Sequence, residues 1–157
     1  MSAPEPPAAW LEPLASALDR HDRRGGFLLL LPEYRPDLVR IAAEALGLAF
    51  LDFRAAVMAP LGWQASGLPL AALDERIAAE TTRGPVLVHN AEALLAAKPI
   101  AERRAWLLDF LGRDWPTVAV IPLAVLTGEV PKGHDRVVGL AELPASSLLM
   151  RLWSSRR

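Results

Sequence analysis

Few side chains in this 157-residue chain have the types and spacing that chemistry requires. There is no cysteine, which excludes disulfide scaffolds, thiolate metal sites and cysteine nucleophiles. The three histidines, His21, His89 and His134, form no HxxxH or HxH pair, so neither a metal nor any other cofactor is expected. Seven Ser and four Thr include no GxSxG, so no activated serine stands out. Two polar clusters remain, each just after an apolar run. Pro32-Glu33-Tyr34-Arg35-Pro36-Asp37 offers an arginine for an anion, and His89-Asn90-Ala91-Glu92 offers an imidazole and a carboxylate. Asp52 is a third carboxylate at a run's end. Acid–base catalysis there would need Asp52, His89 and Glu92 to converge within a few ångströms.

Hydrophobic pattern shows which elements would hold these clusters. Phe27–Leu31, Leu48–Phe53, Val86–His89 and Thr117–Ile121 are short, continuously apolar runs, as expected of strands buried on both faces of a parallel sheet. Arg136–Leu140 is a candidate fifth strand. Between them, 9–23, 36–46, 69–82, 91–96 and 100–111 carry apolar residues at helical spacing. Residues 54–69, with Pro60, Gly62, Gly67 and Pro69, are expected to be loose, and 123–130 has no clear pattern. Residues 1–8 hold three prolines and are expected to be a flexible tail, with 9–157 forming one domain that closes on a helix from Pro144 to Trp153. Strands alternating with helices predict an α/β three-layer sandwich with a mostly parallel sheet.

Composition narrows the function classes. A formal net charge of -1, from 17 basic and 18 acidic residues, argues against a protein built to coat nucleic acid or an anionic membrane. No apolar run approaches the ~20 residues of a membrane span. The N-terminal MSAPEPPAAW lacks the charge and apolar pattern of a secretory signal, so a cytoplasmic location is expected. Ala and Leu supply over a third of the chain, enough for a sizeable core.

In an α/β sheet, ligands sit beyond the carboxyl ends of the strands. A nucleotide-binding phosphate loop would put GxxxxGK[ST] after the first strand. Here that place has no Gly, Lys, Ser or Thr, and Pro32 and Pro36 lack N–H donors. Arg35 could meet an anion; otherwise the stretch is a tight turn with Pro36 at the first helical position. After the third strand, His89 and Asn90 stand where a magnesium-orienting Asp and its acidic neighbour are expected. Structural roles for these residues are a half-buried histidine bonded to backbone and an Asn90 N-cap. Asp52 reads as an outward-facing strand terminus. Arg103, Arg104 and Arg113 lie among Glu102, Asp109 and Asp114, as on a solvated helix face, or as an arginine reaching a partner. Trp63, Trp106, Trp115 and Trp153 read as core or rim; if exposed, Trp63 would mark a partner surface.

Taken together, the FLLLLPEYRPDL, PVLVHNAEALL, GRDWPTVAVIP and LTGEVPKGHDRVVGL segments resemble, over roughly 11–145, the BrxF family of small P-loop proteins from bacterial BREX phage-defence systems. The resemblance implies a P-loop-NTPase-like fold whose nucleotide motifs are degraded. Arg35 sits near the Walker lysine, Pro36 near its Ser/Thr, and His89, Asn90 and Glu92 lie in the Walker B region. It further implies a subunit without ATP hydrolysis that acts on other protein subunits, with a homo-oligomer left open. A second, local resemblance covers Trp63-Gln64-Ala65-Ser66-Gly67-Leu68-Pro69-Leu70, which is similar to SulA-type inhibitors of the division protein FtsZ. It implies an inhibitor that binds a polymerising cell-division protein. Trp63, Arg103 and Arg104 are the candidate partner-facing residues.

Overall fold

The computed structural model describes residues 9–145. The expected tail at 1–8 and the closing helix beyond 145, with Trp153, lie outside the described residues. Five strands, β1 (Gly25–Leu30), β2 (Ala49–Asp52), β3 (Val86–His89), β4 (Val118–Leu123) and β5 (Val137–Gly139), form one sheet in the order β2-β3-β4-β1-β5. Every pairing is parallel. The central strands β1, β3 and β4 are buried along almost their whole length, which is why their sequences are apolar without alternation.

Helices α1 (Glu12–Arg20), α2 (Pro36–Ala45), α3 (Leu70–Arg83), α4 (Ala91–Ala96) and α5 (Ile100–Gly112) complete the layers. Leu14, Ala17 and Leu18 of α1 and Val39 and Ala43 of α2 pack with Phe27, Leu29 and Val120 on one face. On the other, Leu73 and Ile77 of α3, Leu94 and Leu95 of α4, and Leu107 and Phe110 of α5 pack with Leu28, Val88 and Ile121. The chain leaves β1 toward β2 and leaves β4 toward β5, in opposite directions across the sheet. The switch point where such folds bind ligands therefore lies at the carboxyl ends of the neighbouring strands β1 and β4.

Three expectations change. Residues 54–67 are not loose: they form a π-helical turn (Arg54–Met58) and a 3-10 helix (Ala59–Gly67), kinked at Gly62 (φ 58, ψ -130). Strand β4 runs two residues further than the apolar pattern indicates, through Pro122 to Leu123, and β1 begins at Gly25. Residues 127–129, part of the stretch without a pattern, form a short 3-10 turn.

Gly26 explains the Gly-Gly start of β1. A Cβ there would stand 2.8 Å from the Phe110 carbonyl oxygen and 2.9 Å from its ring. Overpacking of this kind costs about 1–3 kcal/mol. Gly26→Ala is therefore expected to lower stability by that amount in urea denaturation; an unchanged midpoint would mean that α5 does not press on β1.

Candidate functional site at the strand ends

The switch-point crevice is lined by Leu31, Tyr34, Val39, His89, Asn90, Glu92 and Pro122–Ala124, and its cavity is about 10 Å³, room for one water molecule. The chain's own side chains fill it. Tyr34, the only tyrosine, follows β1 where the phosphate loop would stand. Its ring lies nearly parallel to the His89 ring, 5.8 Å away, and Phe50 approaches that imidazole from another side at 5.3 Å. His89 is thus buried against aromatic rings and meets a phenol, not the backbone group expected for it.

These polar groups form a chain whose direction follows from its end. Asp52 is the register neighbour of His89 across β2 and β3, and its ionised carboxylate only accepts. Asn90 Nδ2 donates to Asp52 Oδ1 (3.1 Å), leaving Asn90 Oδ1 to accept from the Tyr34 hydroxyl (3.0 Å). That hydroxyl then accepts from His89 Nε2–H (3.3 Å), which assigns the ring proton to Nε2. The same Asp52 oxygen accepts the Ala55 N–H (3.1 Å), so Asp52 ties β2 to the π-helical turn instead of facing outward. Asn90 makes no side-chain cap, contrary to expectation. It sits left-handed (φ 63), a conformation Asn tolerates better than most residues, which gives the chain's only Asn a structural reason.

Glu92 closes the crevice between β3 and β4. Gly25 N–H donates to Thr117 O and Leu31 N–H to Leu123 O, so odd-numbered residues of this stretch turn their backbone groups toward β1. By alternation Pro122 faces β3, where it has no N–H to give. The β3–β4 pairing accordingly stops at Leu87 and Val120. Glu92 links the start of α4 to the turn after β4. Its carboxylate accepts Ala124 N–H (3.0 and 3.2 Å), Val125 N–H (2.8 Å) and Leu126 N–H (2.6 Å). Three successive amides converging on one anion form the cradle that in other proteins holds a phosphate. Here an internal carboxylate occupies it, so Glu92 is engaged by the amides after β4.

Arg35 does not offer itself to an anion. Its guanidinium is held by Asp37 through Nε and Nη2 (both 3.2 Å), by Glu33 (3.3 Å) and by the Pro144 carbonyl (3.0 Å). The hydrogen bond to Arg35 holds the Asp37 carboxyl below its usual range, against the opposing effect of burial. Pro36 opens α2 as expected, and the Leu38 and Val39 amides behind it both donate to Arg35 O (3.1 Å each). Among the described residues no three acidic or histidine side chains gather as a metal site would require.

The candidate partner-facing residues divide. Arg103 is not on a solvated face. It forks onto Glu129 (2.7 and 2.8 Å) and donates to Lys98 O (3.0 Å), pinning the 127–129 turn to α5. That bond lowers the Glu129 pKa. Arg104 remains exposed, 3.7 Å from the same carboxylate. Arg113 pairs with Asp109 and also with Asp74 of α3, while Asp114 pairs with Arg24. Trp106 and Trp115 are core; Trp63 is not, with 87% of its surface exposed.

No protein-family model matches this chain, and no curated protein or solved structure gives a significant match.

Two tests follow from this geometry. Glu92→Ala leaves three amides without their acceptor and is expected to cost about 2–4 kcal/mol in chemical denaturation, with Glu92→Gln losing less. Unchanged stability in Glu92→Ala would mean the β4 turn holds itself. The second concerns pH. Burial, with a smaller push from Arg40, lowers the His89 pKa from 6.5 against the opposing pull of Asp52. The unfolded chain then takes up this proton first, so the His89 contribution is complete above about pH 6.5 and lost as pH falls toward the folded value. His89→Gln should flatten the stability curve in that window; an unaltered slope would contradict the burial.

Proposed function

We propose that this chain is a P-loop-NTPase-like domain that has lost its nucleotide site and acts as a non-catalytic, protein-binding subunit of a bacterial phage-defence assembly. The observation that carries the loss of the site is the filled crevice at the ends of β1 and β4. Tyr34 covers it, Glu92 takes the β4 amides, and Arg35 is neutralised by two carboxylates. The strand order supports the fold assignment by analogy. It is neither the classic Rossmann order nor the flavodoxin order. Read from the other edge it is β5-β1-β4-β3-β2, the RecA-like order, in which the phosphate-loop and Walker B strands flank one intervening strand. The defence context rests on the sequence resemblance to the BrxF family alone.

The exposed Trp63 favours one second reading, since it opens the stretch similar to SulA-type inhibitors. Overproduction distinguishes the two. Filamentous cells support the inhibitor of a polymerising division protein; normal division with altered phage resistance supports the defence subunit.

Calorimetry with magnesium and ATP tests the loss of the nucleotide site. No binding is expected up to millimolar nucleotide, and micromolar affinity overturns the proposal. Arg35→Ala should leave that result unchanged while lowering stability by about 1 kcal/mol through its lost ion pairs. The turn alone gives no reason to expect that loss; the clamp on Asp37 and Pro144 does.

A further inference from the structure

Residues 54–67 leave the sheet and hold only one buried residue, Ala65. From Ala55 through Leu73 there is no charged residue. The kink at Gly62 sets Trp63 outward beside a groove of about 440 Å³, floored by small residues such as Ala59, Ala65, Ala93 and Ala97, with Arg54 as the one charged group lining it. Large exposed apolar surface of this kind marks a contact.

We propose that this face is a two-fold contact between copies of this chain, in which Trp63 of each copy fills the groove beside Trp63 of the other. The knob and the hole lie side by side on one surface. That is the requirement for an isologous interface, where each patch meets its own image. Size fits: a cavity of about 150 Å³ accepts benzene, and this groove is large enough for an indole. Small side chains on the floor let the two backbones approach closely. Charge fits as well. A patch with one cation selects no foreign partner by sign, and a net charge of -1 sets up no repulsion between copies. The inference rests on reading the Trp63 segment as an interaction surface, and it fails separately from the nucleotide reading, which calorimetry decides.

Sedimentation equilibrium across roughly 1–100 µM, the affinity range of a modest interface, tests it with the full chain and two surface variants. The wild type should rise toward twice the mass of the 17.0 kDa chain. Trp63→Ala, which removes the knob, and Ala97→Glu, which blocks the hole at an exposed position, should each stay monomeric with near-native thermal unfolding. Their equimolar mixture should associate again, because one variant keeps the alanine floor of its groove and the other its indole. A monomeric wild type overturns the proposal, whether Trp63 stays bare or is covered by residues 146–157. So does a Trp63→Ala dimer, or a mixture that stays monomeric while both variants are folded.

Discussion

The hydrogen bonds between the Glu92 carboxylate and the amides of Ala124, Val125 and Leu126 are the constraint on which the strand-end region depends. They lie just beyond Pro122, past the point where the β3–β4 pairing ends. Backbone amides beyond the end of a strand ladder have lost their strand partner and need another acceptor. Here α4 begins directly after β3, and its second residue supplies the acceptor from within the chain. The same link fixes where β4 ends and where the chain turns toward the 127–129 segment. The Arg103–Glu129 pair then ties that segment to α5.

Every other feature of the crevice removes something that an anion would need. The α2 amides at Leu38 and Val39 are spent on a carbonyl, Pro36 has none, and Arg35 is held by Asp37 and Glu33. Tyr34 lies over His89, and Asn90 passes the hydrogen-bond chain to Asp52. The result is a rigid, satisfied edge; among the described residues no buried side-chain polar atom lacks a partner. The most exposed large apolar side chain, Trp63, lies elsewhere, on the 54–67 segment.

Much of the sheet could be read directly. Phe27–Leu31, Val86–His89 and Thr117–Ile121 are apolar because strands covered on both faces must be, and the helices between them carry their spacing plainly. That the turn after β1 is no phosphate loop is legible too: Pro32 and Pro36 have no amide to give. How that turn packs is not legible. Tyr34 is one aromatic in a turn, where no periodicity reveals its direction, and its status as the only tyrosine was the available signal. Arg103 and Glu129 are separated by 26 residues, so nearby Asp109 and Asp114 drew the helix-face pairing instead. Residues 54–67 mix Pro and Gly with apolar residues, which reads as a loop, whereas their π and 3-10 turns arise from Asp52 anchoring Ala55 and from tertiary contacts of Val57 and Met58 with the core. Asn90 carried a conformational signal, tolerance of positive φ, that an N-cap reading overlooks.

The internal occupation of the crevice is tested most directly by amide hydrogen exchange at Ala124, Val125 and Leu126, measured with and without magnesium and ATP. A cradle already filled by Glu92 predicts slow exchange at all three, unchanged by nucleotide, and fast exchange in Glu92→Ala. Fast exchange in the wild type, or protection that appears only when nucleotide is added, would contradict it.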